Sequence, residues 1–318
     1  MNIHIVHLPQ TFPYLVDLSA AFNKYGFERI ILVANGFNLD EIKALRAYTS
    51  RYSFIDILDI PTKRILSHGQ ALNYAFEQSQ DELFCFADHD IFPTQPIIED
   101  IQSALLEFDV VCLGDRPENT TTDYKGFAAS AIATQSGTPL ATSFFSVFKR
   151  PAVNLANINY KVGFEQYFRK SQIPKTLAGH KDIQALKEPF LVDTCKALSL
   201  ALHLNKNTIT HLNTDKVCHF GGLAGAINRF INGGKTIKKE FIAPILPNQK
   251  ELEYHYNKHQ QRHPKVLELK RCISDYSLQL IIALQEKITL PYFVSEDKFL
   301  NESIAQIKHA TQQLFIHK

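Results

Sequence analysis

Along the first 95 residues the apolar positions switch repeatedly between short continuous runs and a spacing of three to four. The runs at 3–8, 29–34, 54–60 and 83–87 are bounded by turn or polar residues and predict strands. Between them, 15–24, 40–47 and 67–78 carry apolar residues on one helical face and predict helices. Local signals agree with these limits. Asn35 and Gly36 form a turn dipeptide, Pro61 stops the third strand, Asp40 and Glu41 suit a first helical turn, and Ser67 can cap the third helix. Strands alternating with helices in this way predict an α/β fold, a parallel sheet with helices on both faces. Ligands on such sheets bind beyond the carboxyl ends of the strands. Residues 9–12, 35–37, 59–68 and 88–90 are therefore expected along one edge of one pocket.

The second half is less regular. Residues 109–113, 140–148 and 208–212 predict strands, and 192–204 a helix. The polar, small-residue stretch 118–137 reads as a mobile loop able to close over a ligand. From 251 onward helix formers dominate, with heptad-like apolar spacing through 266–288, which predicts a helical extension that packs on the rest or on a second copy.

Composition narrows the class. Thirty-four Lys and Arg against 32 Asp and Glu leave a net charge of +2. That is too little for a protein that holds nucleic acid by neutralising phosphates. No run approaches the roughly 18 apolar residues of a spanning helix, and the start lacks a basic-then-apolar leader, so a cytoplasmic protein is expected. Cys85, Cys112, Cys195, Cys218 and Cys272 are odd in number and widely spaced, which reads as free thiols rather than disulfides or a thiolate metal site.

The most informative chemistry lies at Asp88, His89 and Asp90. Two carboxylates one residue apart, just past an apolar strand, can both reach a hard divalent cation such as Mn²⁺ or Mg²⁺. A bare Asp-x-Asp arises about once by chance in a chain of this composition. Its place at the end of the fourth strand gives it weight against the alternative of a solvated turn.

Five segments in order resemble those of nucleotide-sugar-dependent glycosyltransferases of the GT-A fold, most closely the family 2 type. They are Ser67 through Asn73, Asp88-His89-Asp90, Gly163-Phe164-Glu165, Val192-Asp193-Thr194, and Cys218 through Gly222. The resemblance covers about residues 1–225. It implies a Rossmann-like αβα sandwich with a mostly parallel sheet and a C-terminal helical appendage. Residues 1–245 would be the catalytic domain (1–95 its nucleotide-binding half, 96–245 its acceptor-side half) and 246–318 the extension. It also implies Mn²⁺ or Mg²⁺ held by Asp88, Asp90 and His219, and Asp193 as catalytic base. Donor contacts would come from Pro9, Thr11, Asn35, Arg64, His68, Gly69, Asp88 and His89. The implied partners are a nucleotide-diphosphate sugar, with a UDP-sugar favoured, and a glycan or glycolipid acceptor of bacterial surface or capsular polysaccharide. Inverting chemistry is the family expectation. Peripheral membrane contact and self-association through the C-terminal helices are compatible with this reading; nucleic acid is not.

Departures from the family pattern are informative. Asn35 stands where an acidic residue is usual, and Val192-Asp193 keeps one carboxylate of a pair. The Gln/Arg-x-x-Arg-Trp element of processive synthases is absent and the chain has no Trp, so addition of a single sugar is expected. Each assignment has a plainer alternative. His219 could be a turn histidine beside two glycines, Asp193 a helix-start carboxylate, and Arg64 and His68 solvated loop residues. Glu165, Asp182 and Glu188 are other candidates for the base. His255, His259 and His263 recur every fourth residue, which reads as a polar helix face rather than zinc ligands. Two other functions compete: a sugar-1-phosphate nucleotidyltransferase, and an inactive GT-A binding or scaffold subunit. The first should carry a Gly-rich loop after its first strand; here residues 7–12 contain no glycine.

Overall fold

Strand–helix alternation begins at once: β1 (Ile3–His7), α1 (Phe12–Lys24), β2 (Ile30–Ala34), α2 (Leu39–Thr49), β3 (Ile55–Asp59), α3 (His68–Gln78) and β4 (Leu83–Ala87). The computed structural model describes residues 1–114, 127–128, 131–187, 191–233 and 264–315. Helix starts are set locally. Asn38 accepts the N–H groups of Asp40 and Glu41 while Glu41 reaches back to the Asn38 N–H, and Ser67 with Gln70 repeats the device at α3. α1 has Pro in its first turn and no side-chain cap.

After β4 come β5 (Ile91–Pro93), α4 (Ile98–Leu105), β6 (Val110–Leu113), β7 (Phe145–Lys149) and α5 (Arg150–Tyr160). Two short helices, α6 (Lys175–Ala178) and α7 (Lys181–Gln184), precede α8 (Lys196–Leu204), β8 (Ile209–Leu212), β9 (Val217–His219) and α9 (Leu223–Ile231). Two long helices follow, α10 (Pro264–Glu286) and α11 (Lys298–Phe315). Seven strands form one sheet in the order β3-β2-β1-β4-β7-β6-β8, parallel except for β7, while β5 and β9 make a separate antiparallel pair. The expected fold class, a mostly parallel sheet between helical layers with C-terminal helices, is the one the chain adopts.

Period-two alternation divides the core. On β4, Phe84 and Phe86 join α3, α5 and α8 in one cluster, while Cys85 and Ala87 join α1, α2 and α4 in the other. A third cluster lies on the outer side of α1. There Leu15, Leu18 and Ala21 meet Ile227 of α9, Leu280 and Ile281 of α10, and Ile304 and Ile307 of α11. Gln285 of α10 also donates to the Pro13 and Tyr14 carbonyls and to Asp17, each at 3.3 Å. Asp17 further accepts from Arg51 and Tyr52, at 2.8 and 2.6 Å. The C-terminal helices are thus joined to the sheet domain by apolar burial and by a shared buried carboxylate.

Several expectations need revision. The strand expected over 140–148 begins only at Phe145, because the preceding backbone turns: the Thr142 hydroxyl bonds the carbonyls of Leu113 and Phe145. The helix expected over 192–204 begins at Lys196, since Cys195 is left-handed (φ 60). β5, α4, α5 and β9 are additional to the expected elements; β5 and β9 are three residues each, too short to carry a period. Residues 118–126, 129 and 130 of the expected mobile loop lie outside the described residues, as do His255, His259 and His263. In the described end of that loop Ala131 and Thr134 are buried and Ala133 bridges Pro139, while Gln135, Ser136 and Gly137 are exposed. The five thiols are free. Among the described residues no helix is long and apolar enough to cross a membrane.

Candidate active site

β4 brings Asp88 and Asp90 to the sheet edge. Its last residues are buried, the Asp88 N–H donates to the Phe144 carbonyl at 2.8 Å, and the chain then turns into β5. β5 pairs with β9 so that Ile91 lies opposite His219, and the Phe220 N–H donates to the Asp90 carbonyl at 3.0 Å. This short pairing brings the imidazole to the carboxylates. Ligand atoms of Asp88, Asp90 and His219 all lie within 4.8 Å of one another, with His219 Nε2 3.5 Å from Asp90 Oδ1. Phe144 packs against the His219 ring, with centroids 4.9 Å apart.

Asp90 has a second task. Its Oδ2 accepts the Leu223 N–H at 3.1 Å, at the first residue of α9. Gly222 precedes it at φ 88, a conformation side chains rarely tolerate. Burial disfavours the charged form of Asp90, but the His219 hydrogen bond and charge, with the Leu223 N–H, hold its carboxyl well below the usual range. Asp88 behaves oppositely: burial first, then the Asp90 and Asp193 charges, push its carboxyl up to about 8 against a lowering by His219. For His219, burial opposes protonation, but the bond to Asp90 and the charges of Asp90 and Asp88 outweigh it and raise the imidazole. A buried Asp90 and a half-buried Asp88 that cannot both ionise easily form a site short of positive charge.

This donor set fits Mn²⁺ or Mg²⁺. Both accept carboxylate oxygen, and imidazole suits Mn²⁺. Ligands ~2.1 Å from such an ion stand up to ~4.2 Å apart, so the cluster needs only slight closure to meet around one.

The other predicted residues divide into those that face the cluster and those that shape its loops. His68 Nε2 is 3.6 Å from Asp88 Oδ1, and burial with the neighbouring His89 lowers its pKa to about 4, so it is neutral. The His89 ring is held by Nδ1, 3.0 Å from the Val6 carbonyl, and lies beside His7. Thr11 is buried and closes the turn after β1, its hydroxyl donating to the Leu8 carbonyl at 2.9 Å; Pro9 lies within that turn. Asn35 pairs by both ends of its amide with the Leu66 backbone, at 2.8 and 2.9 Å, so its side chain fastens one loop to another. Arg64 is exposed. Gly69 is buried where a Cβ would stand 2.0 Å from the Phe164 carbonyl, which makes it a packing position.

Asp193 stands in the segment before α8. Its Oδ1 accepts from the Thr194 N–H at 2.7 Å and the Gln166 amide at 2.8 Å. Among the described hydrogen bonds Oδ2 receives none, and the residue is half-buried. The helix it precedes has Cys195 at its N-cap with no side-chain bond, so capping is not what Asp193 does. Its charge adds to the causes that raise the Asp88 carboxyl. Of the other base candidates, Glu165 accepts the Gly163 N–H at 2.9 Å and Asp182 the Ser136 hydroxyl at 2.7 Å. Glu188 lies outside the described residues.

Two positions escaped notice as working parts. Asn73 Oδ1 accepts the Phe164 N–H at 2.8 Å, and a Cβ on Gly163 would come within 2.3 Å of that oxygen. The Asn73–Gly163 clamp therefore joins α3 to the segment leading to Gln166, which orients Asp193. The pairing of the two motifs that contain these residues was the available signal.

No protein-family model matches the chain, and no curated protein matches it. Solved structures with similar overall arrangement include a mannosyltransferase from Pyrobaculum calidifontis in complex with GDP-Man and Mn²⁺. That pair is 11% identical, covers 99% of this chain and 86% of the other, and has a TM-score of 0.45. S. aureus TarS 1–349 in complex with UDP is 12% identical over 98% of this chain and 91% of its own, at a TM-score of 0.42. The galactosyltransferase LgtC with donor and acceptor sugar analogs is 10% identical over 67% and 74%, at 0.41. These are distant likenesses of architecture, and none assigns a role to a residue here.

Proposed function

We propose that the chain is a GT-A-type glycosyltransferase that moves a single sugar from a nucleotide-diphosphate donor, with a UDP-sugar favoured, to a hydroxyl of a glycan or glycolipid. The observation that carries this reading is the convergence of Asp88, Asp90 and His219 at the carboxyl end of β4, with Asp193 close by. A bound Mn²⁺ or Mg²⁺ would stabilise, as a Lewis acid, the negative charge that develops on the departing diphosphate. Asp88, Asp90 and His219 would hold that ion, and the neutral ring of His68, with the His89 ring beside it, would border the phosphates. Asp193 Oδ2, which takes no hydrogen bond from a described residue while Gln166 and Thr194 fix Oδ1, would take the proton of the acceptor hydroxyl. The acceptor oxygen then bonds the anomeric carbon as the bond to the diphosphate breaks, with inversion. Such a donor places the reaction in the cytoplasm, at the inner membrane face when the acceptor is a glycolipid, and a bacterial surface polysaccharide is the acceptor class proposed.

The turn 8–11, closed on itself by Thr11 and without glycine, lacks the phosphate cradle a nucleotidyltransferase would need. Titration calorimetry with UDP and GDP, with and without Mn²⁺, followed by assay of donor hydrolysis, tests the proposal. Metal-dependent binding and release of nucleoside diphosphate are expected. Release of pyrophosphate from a nucleoside triphosphate and sugar phosphate would replace it with nucleotidyl transfer, and binding without any turnover would favour a scaffold role.

A further inference from the structure

α8 opens with a residue that the chemistry proposed above leaves idle. Lys196 is fully buried, and burial lowers its pKa from the ordinary lysine value. Its Nζ donates to the carbonyls of Ala131 and Ala141, each at 2.6 Å. Those two carbonyls stand opposed at the base of a hairpin. Nearer its tip Ala133 bridges Pro139, the Leu140 N–H donates to the Ile132 carbonyl at 2.8 Å, and the Thr134 N–H to that of Thr138 at 2.9 Å. Ala131 and Ala141 are the next opposed pair, and the lysine replaces a backbone rung between them. Ser199, one turn along α8, accepts the Ala141 N–H at 2.9 Å and donates to the Cys195 carbonyl at 2.8 Å. Both backbone groups of Ala141 are thus held by the first turn of α8.

A buried ammonium is costly unless its partners are well placed, and here the partners lead to two parts of the site. The Lys196 N–H donates to the Asp193 carbonyl at 3.1 Å, so the lysine sits on the turn that carries Asp193. Three residues beyond Ala141, the Phe144 carbonyl accepts the Asp88 N–H and the Phe144 ring packs on His219. We propose that Lys196 is a positioning residue that fixes the Asp193 turn against the segment bordering the Asp88–Asp90–His219 cluster. It would thereby set the separation between base and metal centre. This rests on the role proposed above for Asp193. The two aspartates have anchors of their own, β4 and the Leu223 N–H. Donor binding should therefore depend little on the clamp. Turnover, which a misplacement of about 1 Å can cut sharply, should depend on it.

Full-length wild type, Lys196→Met, Ser199→Ala and the core variant Ile281→Ala test this. Each would be measured for melting temperature, for calorimetric binding of UDP and GDP with Mn²⁺, and for hydrolysis of UDP-GlcNAc and GDP-mannose, in which water takes the acceptor's place. Lys196→Met keeps the side-chain length without a donor. It is expected to lower kcat by about 10–100-fold on folded protein, with nucleotide affinity within about threefold of wild type. Hydrogen exchange at the Thr134 and Leu140 amides should quicken in the same variant. Ser199→Ala loosens the clamp with the lysine in place and should lower kcat by a smaller factor; it decides the matter where Lys196→Met does not fold. Ile281→Ala should lower the melting temperature and keep kcat. Unchanged kcat in Lys196→Met and Ser199→Ala, or unchanged exchange in the hairpin, overturns the assignment and leaves the Asp193 reading standing. So does a loss of nucleotide affinity as large as the loss of kcat, or an equal loss of kcat in Ile281→Ala. Wild type that hydrolyses neither donor overturns the catalytic reading, and the assignment with it.

Discussion

The two sides of the site are held by different kinds of structure. On one side Asp88 follows a central strand, flanked by β1 and β7 and buried on both faces, and α2 and α3 carry their own caps. On the other side His219 and Asp193 sit on short segments whose positions depend on distant partners. A three-residue strand pair places His219; a backbone bond to Phe127 and a Gln166 side chain place Asp193. On the function proposed above, sheet-fixed placement of Asp88 and contact-dependent placement of Asp193 mean that metal affinity and turnover should respond to different mutations.

The largest effect is expected at Asp90, where the two sides meet. Asp90→Asn removes a charged ligand and weakens the hold on the α9 N-terminus. Metal-dependent UDP binding should fall by more than the 10–100-fold typical of outer-shell changes, and transfer with it. Asp193→Asn should leave UDP affinity within a few-fold and lower kcat by roughly 10²–10⁴-fold. A parallel fall of both in that variant would erase the distinction between the two sides.

Stability divides similarly. Ile281→Ala, in the third core cluster, should cost about 2–5 kcal/mol in a single urea transition. Two separate transitions would show that the C-terminal helices unfold independently. Asn73→Ala breaks the clamp to Phe164 and should cost about 1–3 kcal/mol, with kcat lowered more than nucleotide affinity. Asn38→Ala removes a cap on the local side, and about 1 kcal/mol of stability with unchanged kcat is expected.

A cation bound as proposed should also be visible through pH. Without it Asp88 titrates near 8, far above an unfolded aspartate, so the folded state binds the extra proton. That contribution to stability is full below the unfolded pKa and is lost as pH rises toward 8. Metal binding displaces the proton. The gain in melting temperature on adding Mn²⁺ should therefore grow from pH 6 to pH 8; a gain independent of pH would place the proton elsewhere.

What was legible in the sequence follows the same division. The strands ending at His7, Ala34, Asp59 and Ala87 are apolar runs closed by turn residues, and their helices announce themselves by spacing and caps, so the sheet edge bearing Asp88 and Asp90 could be placed. β5 and β9 are three residues each and have no period to read; they exist because they pair with one another. α8 starts four residues later than its apolar pattern because Cys195 adopts a left-handed backbone, a choice made by tertiary contacts such as its N–H to the Phe164 carbonyl. The Asn35 amide pairs with the Leu66 backbone, a partner 31 residues away that no local pattern reveals.

The bond between Asp90 and the α9 N-terminus spans 133 residues of sequence. During synthesis both aspartates emerge and their strand can form long before His219 and Leu223 exist to meet them. Closing so long a loop is entropically slow, so the cluster should be among the last parts of the domain to mature. A nascent chain stopped at residue 210 would hold the whole DxD segment and still lack the imidazole ligand and the helix start that hold Asp90 in place.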